Sequence, residues 1–394
     1  MSSGSSDLGK ARALRVLTLT PFYPSESDDS QGSFVAEPLR ALADLGVSSE
    51  VLALQPAYRK RLQAAESKIP AKWVRYFSLP SSLGLPVAGA FVFARIVGQV
   101  RELIRSHRID LIHAHAPLPA GHAAMLLSTE LGLPYVVSVH GLDAFSNEQI
   151  NGRVGEWCSR ISRRVFHGSR RVICVSELVR ERVLSQLGSS VRTSVVYNGV
   201  DTDFFSPAGD EPRETPSLLC VGNLITNKGQ EVLLRAMASI VPEFSTLSLD
   251  IIGDGPDLPR LRELISKLSL EGKVRFHGRQ PRRQVADAMQ RCTVFALPSR
   301  YEGLGCVYLE AMSCGKPVVG IRGQGIAEVI RQGSNGYLVG AGNDKELALV
   351  LGILLRDQQR RQNMGQAARD TIVERFTLAQ QAENLARIYR ECAG

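Results

Sequence analysis

TVFALPSRYEGLGCVYLEAMSCGKPVVGIRGQGIAE, residues 293–328, decides the reading of the whole chain. It opens on an apolar, β-branched run that ends in Pro298 and a polar loop. Glu302 follows, directly before Gly303-Leu304-Gly305, and a helical pattern starts near Cys306. A helix's first turn leaves backbone N–H groups unpaired at the positive end of its dipole. Glycines before it let a ligand come close to the backbone, so phosphate is a natural guest. Glu310 lies eight residues after Glu302, about one turn inside the helix and turned toward the loop. A phosphate-binding loop followed by a carboxylate suits a nucleotide, with amides on the phosphates and Glu310 on the ribose hydroxyls. Helix capping or a solvated face is the plainer use of two such carboxylates, and their place between a strand and a helix argues against it.

Outward from this stretch, short apolar runs alternate with helical patterns. In the first half they cover 15–20, 49–54, 110–115, 134–140, 171–176 and 193–198. In the second half they cover 217–222, 248–253, 273–278, 293–299, 316–321 and 336–340. Such runs read as buried parallel strands with crossover helices. The series restarts after FFSPAGDEPRETPS, a Pro- and acid-rich linker. The expected fold class is α/β, with two doubly wound, Rossmann-like domains facing a cleft. The first covers 1–207, the second 208–370, and 371–394 holds an amphipathic C-terminal helix. Ligands of open α/β sheets bind beyond the carboxyl ends of the strands, so the residues that follow strands are the ones to inspect.

Composition narrows the function classes. Of 394 residues, 44% are hydrophobic and 22% charged, which excludes a largely disordered chain. Lys and Arg exceed Asp and Glu by 47 to 39, giving +8, split about +5 and +3 between the halves. No dense basic module stands out, so nucleic acid is not an expected partner. The seven cysteines form no C-x-x-C, which suits a reducing compartment. The first twenty residues lack a signal-peptide core, and LGLPVAGAFVFARIV is too interrupted to span a bilayer. The expected location is cytoplasmic, with possible peripheral contact at the inner face of the membrane. AYRKRLQ (57–63) and SRISRRVFHGSRR (159–171) are the basic stretches that would meet anionic lipid, unless they are simply solvated helix faces.

Other candidates follow strands. Lys228, before Gly229, could place a point charge on a diphosphate. His140 ends the run PYVVSVH and would face the cleft. Gly32, in SDDSQGSFV, could pass close to a ligand. His113 and His115 share a strand face but lack a third metal ligand at a helpful spacing, so they read as structural. Gly253-x-Gly255 is followed by Pro256 and no third glycine, so the dinucleotide fingerprint fails.

The ordered set VSELVRERV, VYNGVDTDFF, VGNLITNKG, IIGDGP, VRFHG and EGLGCVYLE running into AMSCGKPVVG resembles the retaining glycosyltransferases of family 4 (group 1), across nearly the whole chain. The resemblance implies the GT-B fold and transfer of a hexosyl group from a nucleotide-diphosphate sugar. UDP-sugar is favoured and GDP-mannose next. The acceptor would be a saccharide or a lipid-linked acceptor, in cell-envelope or exopolysaccharide synthesis. It places Glu302 on the donor sugar, the amides of Gly303, Leu304, Gly305 and Cys306 on sugar hydroxyls and phosphate, Glu310 on the ribose and Lys228 on the diphosphate. The loop Phe276–Arg279, with His277 and Arg279, would flank the base. His140 would sit at the reaction centre, Gly32 in a loop closing over phosphate, and the last helix would cross back to the first domain. No metal or other cofactor is expected: Asp201-x-Asp203 is a D-x-D by letters only. Retention in the family is assigned to a front-face mechanism in which the incoming hydroxyl loses its proton to the leaving phosphate.

Two departures bear on the phosphates. Asn223 stands where the family usually has Arg, and the usual double glycine of the first loop reads Gly32-Ser33. Losing that Arg removes a bidentate contact, and Arg322 is the expected compensating group. A sugar-nucleotide epimerase on the same fold is an alternative, which epimerisation with no acceptor present would reveal. A non-catalytic sugar-nucleotide binding protein is another. A glycoside hydrolase would use two carboxylates but not the phosphate and ribose features.

Overall fold

The computed structural model describes residues 13–26, 28–62, 70–141, 150, 152–208 and 215–394. The centre of the expected linker (209–214), Gln63 of the first basic stretch and the residues directly after Gly141 lie outside them.

The first domain runs β1 (Leu14–Thr20), α1 (Ser33–Ala36), α2 (Pro38–Asp44), β2 (Val47–Pro56), β3 (Ala71–Tyr76), α3 (Leu85–His107), β4 (Leu111–His115), α4 (His122–Leu131), β5 (Tyr135–Val139), α5 (Gly152–Gly168), β6 (Arg171–Cys174), α6 (Glu177–Leu187) and β7 (Thr193–Val195). Its seven strands are parallel, in the order β3-β2-β1-β4-β5-β6-β7. The second domain runs β8 (Ser217–Val221), α7 (Gln230–Ile240), β9 (Ser248–Ile252), α8 (Leu258–Lys267), β10 (Val274–Phe276), α9 (Arg282–Arg291), β11 (Val294–Ala296), α10 (Cys306–Ser313), β12 (Val318–Ile321), β13 (Tyr337–Val339) and α11 (Asp344–Arg356). Its six strands are also parallel, in the order β10-β9-β8-β11-β12-β13.

All twelve apolar runs become strands, most of them shortened at the ends. The thirteenth, β3, is a difference from the sequence reading. AKWVRY carries Lys72 and Arg75 and alternates in burial, as an edge strand with one covered face does. The central strands β4, β5 and β8 are buried at every position. In both sheets the strand order reverses at a central pair (β1/β4 and β8/β11), so each has a switch point where a crevice opens.

The chain then returns. α12 (Gln358–Arg375) packs on α10, and α13 (Leu378–Ala393) packs on α2 of the first domain. α13 starts with a capping box from Thr377 and Gln380 and buries Leu385, Ile388 and Tyr389 among Leu39 and Leu42.

Candidate active site

The loop after β11 and the first turn of α10 carry the decisive residues. Gly305 caps α10 at φ 86°, a left-handed conformation that favours glycine. Glu302 is fixed from both sides: its N–H donates to Gln324 Oε1 at 3.1 Å, and its carbonyl accepts from Gly325 N at 3.1 Å. Its carboxylate is ion-paired with Lys228 Nζ, which arrives on a 3₁₀ turn after β8 (Thr226–Lys228). Leu304 is buried, so only its backbone is available to a ligand. The Cys306 thiol accepts from Asn198 Nδ2 at 3.2 Å, and burial pushes it up to about 12. Glu310 is buried one turn in; burial raises its pKa and Arg282 opposes that rise.

From the opposite domain, the backbone of His140 meets Gly303. A Cβ on Gly303 would sit 2.3 Å from the His140 carbonyl oxygen. The His140 ring lies 4.5 Å from Phe34, centroid to centroid, and its Nε2 hydrogen-bonds His115 Nδ1 at 3.0 Å. His113 bridges Tyr389 Oη and Ser138 Oγ, each at 2.7 Å. These three rings make a buried stack reached by a side chain from the last helix. Among the described residues, no group of three His, Cys, Asp or Glu side chains is arranged to hold a metal ion.

Burial pushes His113 and His140 down to about 3 and His115 well below its usual value. The folded protein therefore keeps three imidazoles neutral that the unfolded chain protonates below about 6.5. Stability supplied by the neutral rings is present above that pH and is lost as pH falls toward the folded values. Each ring costs up to about 1.4 kcal/mol per pH unit across that window. Glu37, raised to about 7 chiefly by burial, acts in the opposite sense between about 4.5 and 7. A comparison isolates one ring: the stability gap between the wild type and His113→Gln should shrink between pH 7 and 5 in urea titrations. A gap that stays constant would remove the imidazole account.

A cavity of about 240 Å³ lies between the domains, beyond the carboxyl ends of β8 and β9. It is lined by Asn223, Gly253, Arg279, Arg282 and Glu310, with Ser30, Ser33 and Phe34 opposite. A larger hollow, about 510 Å³, sits at the amino ends of β5, β6 and β7, beside Arg170 and Arg192. We place the site at the smaller one, because sheets of this kind present ligand-binding loops at their carboxyl ends and because Cys306 and Glu310 of α10 line it; Lys228 and Glu302 are not among its lining residues.

Some expected residues do not converge. His277 turns its Nε2 to Asp250 at 2.8 Å and does not line the cavity. Arg279 lines it, with Nη1 on Asp28 at 2.6 Å. Gly32 adopts φ 78° and packs on the backbone of Phe22, so its neighbours Ser30 and Ser33 face the cavity instead. Arg322 does not replace the missing Arg at Asn223: it binds the Leu338 carbonyl at 2.6 Å and the Glu346 carboxylate at 2.6 and 2.8 Å. Its fork is spent on the far side of β12.

The sequence reading missed the residues that join the domains. Asp29 accepts from the Arg282 N–H at the start of α9 (3.1 and 3.2 Å). In the other direction, Glu328 accepts from Glu177 N and Leu178 N at the start of α6, and from Tyr197 Oη at 2.9 Å. A carboxylate at a helix N-terminus satisfies unpaired donors and complements the dipole.

Residues 31–204 match the model of Glycosyltransferase Family 4, and 201–371 that of Glycosyl transferases group 1. The chain is similar to an alpha-maltose-1-phosphate synthase of Mycolicibacterium smegmatis, 32% identical over 71% of this chain and 79% of that one. It is also similar to a GDP-mannose-dependent alpha-(1-6)-phosphatidylinositol monomannoside mannosyltransferase of Mycobacterium tuberculosis, 28% identical over 95% of this chain and 98% of that one. Among solved structures, Anabaena HepE in complex with UDP superposes with a TM-score of 0.76, at 22% identity over 96% of this chain and all of that one. With two facing parallel-sheet domains in the GT-B arrangement and both halves matched, the chain belongs to the group 1, family 4 glycosyltransferases.

Proposed function

We propose that this glycosyltransferase moves a hexosyl group, with retention and without a metal, from a nucleotide-diphosphate sugar to a saccharide or lipid-linked acceptor. UDP-sugar is the favoured donor and GDP-mannose the next. The observation that carries the reading is the Lys228–Glu302 pair at the mouth of α10, beside Gly303, which the backbone of His140 meets from the other domain. Breaking a sugar–diphosphate bond places positive charge on the anomeric carbon and negative charge on the leaving group. Lys228 and the first amides of α10 are preorganised donors for that leaving diphosphate, and donors aimed at developing charge gain most in the transition state. Glu302 holds donor-sugar hydroxyls, Glu310 the ribose, and Asn223 and Arg279 line the nucleotide cavity. The incoming hydroxyl passes its proton to the leaving phosphate on the same face. His140, neutral and clamped by His115 and Phe34, lines the reaction centre.

The test is donor binding and slow donor hydrolysis over UDP-, GDP- and ADP-sugars, with Glu302→Ala as control and EDTA in parallel. Turnover of one donor, lost in the variant and indifferent to EDTA, is expected. Binding without turnover over many acceptors would favour a non-catalytic protein instead.

We also propose that the acceptor lies at the inner face of an anionic membrane, in cell-envelope or exopolysaccharide synthesis. Among the described residues, no helix is long and apolar enough to cross a membrane. The first domain nevertheless exposes Tyr58, Phe77, Leu79, Leu83 and Phe91, at 40–61% of their surface. Phe77 and Phe91 touch, with ring centroids 5.1 Å apart. Residues 57–95 carry seven Lys or Arg against one Glu. Exposed apolar side chains in a segment rich in basic residues fit a surface of anionic lipid, where each basic residue contributes about 1 kcal/mol. In sedimentation with phosphatidylglycerol vesicles, Phe77→Ser with Leu83→Ser should weaken binding at least about tenfold, from the apolar area lost. Equal binding by variant and wild type would reject this surface.

A further inference from the structure

Arg282 spans the cleft. Its Nη1 reaches Glu310 Oε1 at 3.3 Å in its own domain, and its Nη2 reaches Glu37 Oε1 at 2.5 Å in the other. Its guanidinium lies over the rings of Phe205 and Phe204, 5.1 and 5.8 Å from their centroids, and its side chain is only 12% exposed. Its backbone N–H is held by Asp29. The group is therefore fixed on every side, as a planar fork between two carboxylates can be.

Arg282 engages one oxygen of Glu310. Among the described residues Oε2 takes no hydrogen bond, and Glu310 lines the cavity. An ionised carboxylate accepts from vicinal hydroxyls better than a protonated one. Burial works toward protonating Glu310, and the neighbouring guanidinium works against it.

We propose that Arg282 is a positioning residue for ribose recognition. By holding Oε1 of Glu310 it keeps that side chain ionised and aimed at the ribose hydroxyls. By reaching Glu37 as well, it makes the aim complete only when the two domains are closed. This rests on the reading that Glu310 takes the ribose.

The experiment is calorimetric titration of UDP and 2′-deoxy-UDP, with GDP and 2′-deoxy-GDP in parallel, into wild type, Arg282→Gln, Arg282→Lys and Glu37→Gln. A charge-assisted hydrogen bond to a hydroxyl gives a preference for the ribose form of about tenfold or more in the wild type. Arg282→Gln is expected to bring that ratio below about threefold, the ribose form losing more affinity than the 2′-deoxy form. Arg282→Lys, a point charge that cannot serve both carboxylates, should restore part of the ratio, and Glu37→Gln should reduce it. If Arg282→Gln does not fold, the lysine and Glu37 variants carry the test. Equal weakening of both nucleotide forms, with the ratio intact, would show Arg282 to be merely structural and overturn the proposal. A wild type without ribose preference would instead overturn the role of Glu310, and no binding of any nucleotide would overturn the donor-site reading beneath both.

Discussion

Replacing Lys228 with methionine is expected to lower kcat by about 10²- to 10³-fold, the usual cost of removing one preorganised donor from a developing oxyanion. The ammonium cannot be supplied from elsewhere in its loop. Lys228 closes a 3₁₀ turn whose N–H donates to Ile225 O at 2.9 Å. The next residue, Gly229, is pressed so closely on Pro298 that a Cβ would lie 2.1 Å from its carbonyl oxygen. The loop therefore holds its course and the amine its place. The expected candidate for a second cation, Arg322, is bound to Glu346 and Leu338. The variant also strands Glu302, whose side chain is 11% exposed, without its partner. Removing one member of a buried pair costs more than removing both, because the other charge is left uncompensated. Lys228→Met combined with Glu302→Gln should therefore lose less than the product of the two single losses. Single-turnover kinetics with saturating donor measures this directly. A Lys228→Met enzyme within about threefold of wild type would sink the assignment of Lys228 to the leaving group.

The placement of Glu302 and Glu310 is legible because it is local. One strand, one glycine-rich loop and one helix turn place both carboxylates, and all three are written in consecutive residues. The strands were legible for a similar reason: a strand covered on both faces is apolar at every position, as in β5. β3 escaped because an edge strand carries charges and alternates. Arg282 escaped for a different reason. Nothing in PRRQ distinguishes it from its neighbour Arg283, whose guanidinium pairs with Asp287 one turn along the same helix. The difference is made by Asp29, 253 residues away, and by Glu37 on the facing domain. His277 and Arg322 show the converse. Each follows a strand, as a site residue should, yet each is drawn to a nearby carboxylate. Which carboxylate an arginine or histidine meets depends on tertiary placement, and spacing along the chain does not encode it. The stack of His113, His115 and His140 lies between these cases. A shared strand face predicts the first pair, while Tyr389 of the last helix supplies the partner that spacing could not.

Domain closure makes the second large prediction. Gly303→Ala should lower kcat by about 10²-fold, with the donor KM changing much less. The added Cβ would lie 2.3 Å from the His140 carbonyl oxygen and 3.1 Å from its carbon, both backbone atoms. No rotamer change relieves such a contact, so the facing domain must retreat by something near 1 Å. Misplacing reacting groups by that distance can cost about 10²-fold in rate. The fold itself should survive, because each domain keeps its own parallel sheet and buried strands. Nucleotide affinity should fall less than kcat, because Glu310, Asn223 and Lys228 all belong to the second domain and the retreat reaches them only through the Arg282–Glu37 pair. The loss would therefore fall on the step that needs His140 and Glu302 together. The Ser176 hydroxyl donates to the Gly303 carbonyl at 2.5 Å, so the same retreat strains a second bond across the interface. Gly303→Val, larger at the same place, should be worse than alanine, and Leu304→Met, which leaves the backbone approach intact, should be nearly silent. Steady-state kinetics on this series, with thermal melting to confirm folding, separates the two accounts. If alanine and valine were to leave kcat unchanged, the contact between Gly303 and His140 would be incidental to the reaction, and closure would have to be built on other contacts, such as those of Glu328, Arg282 and Arg279.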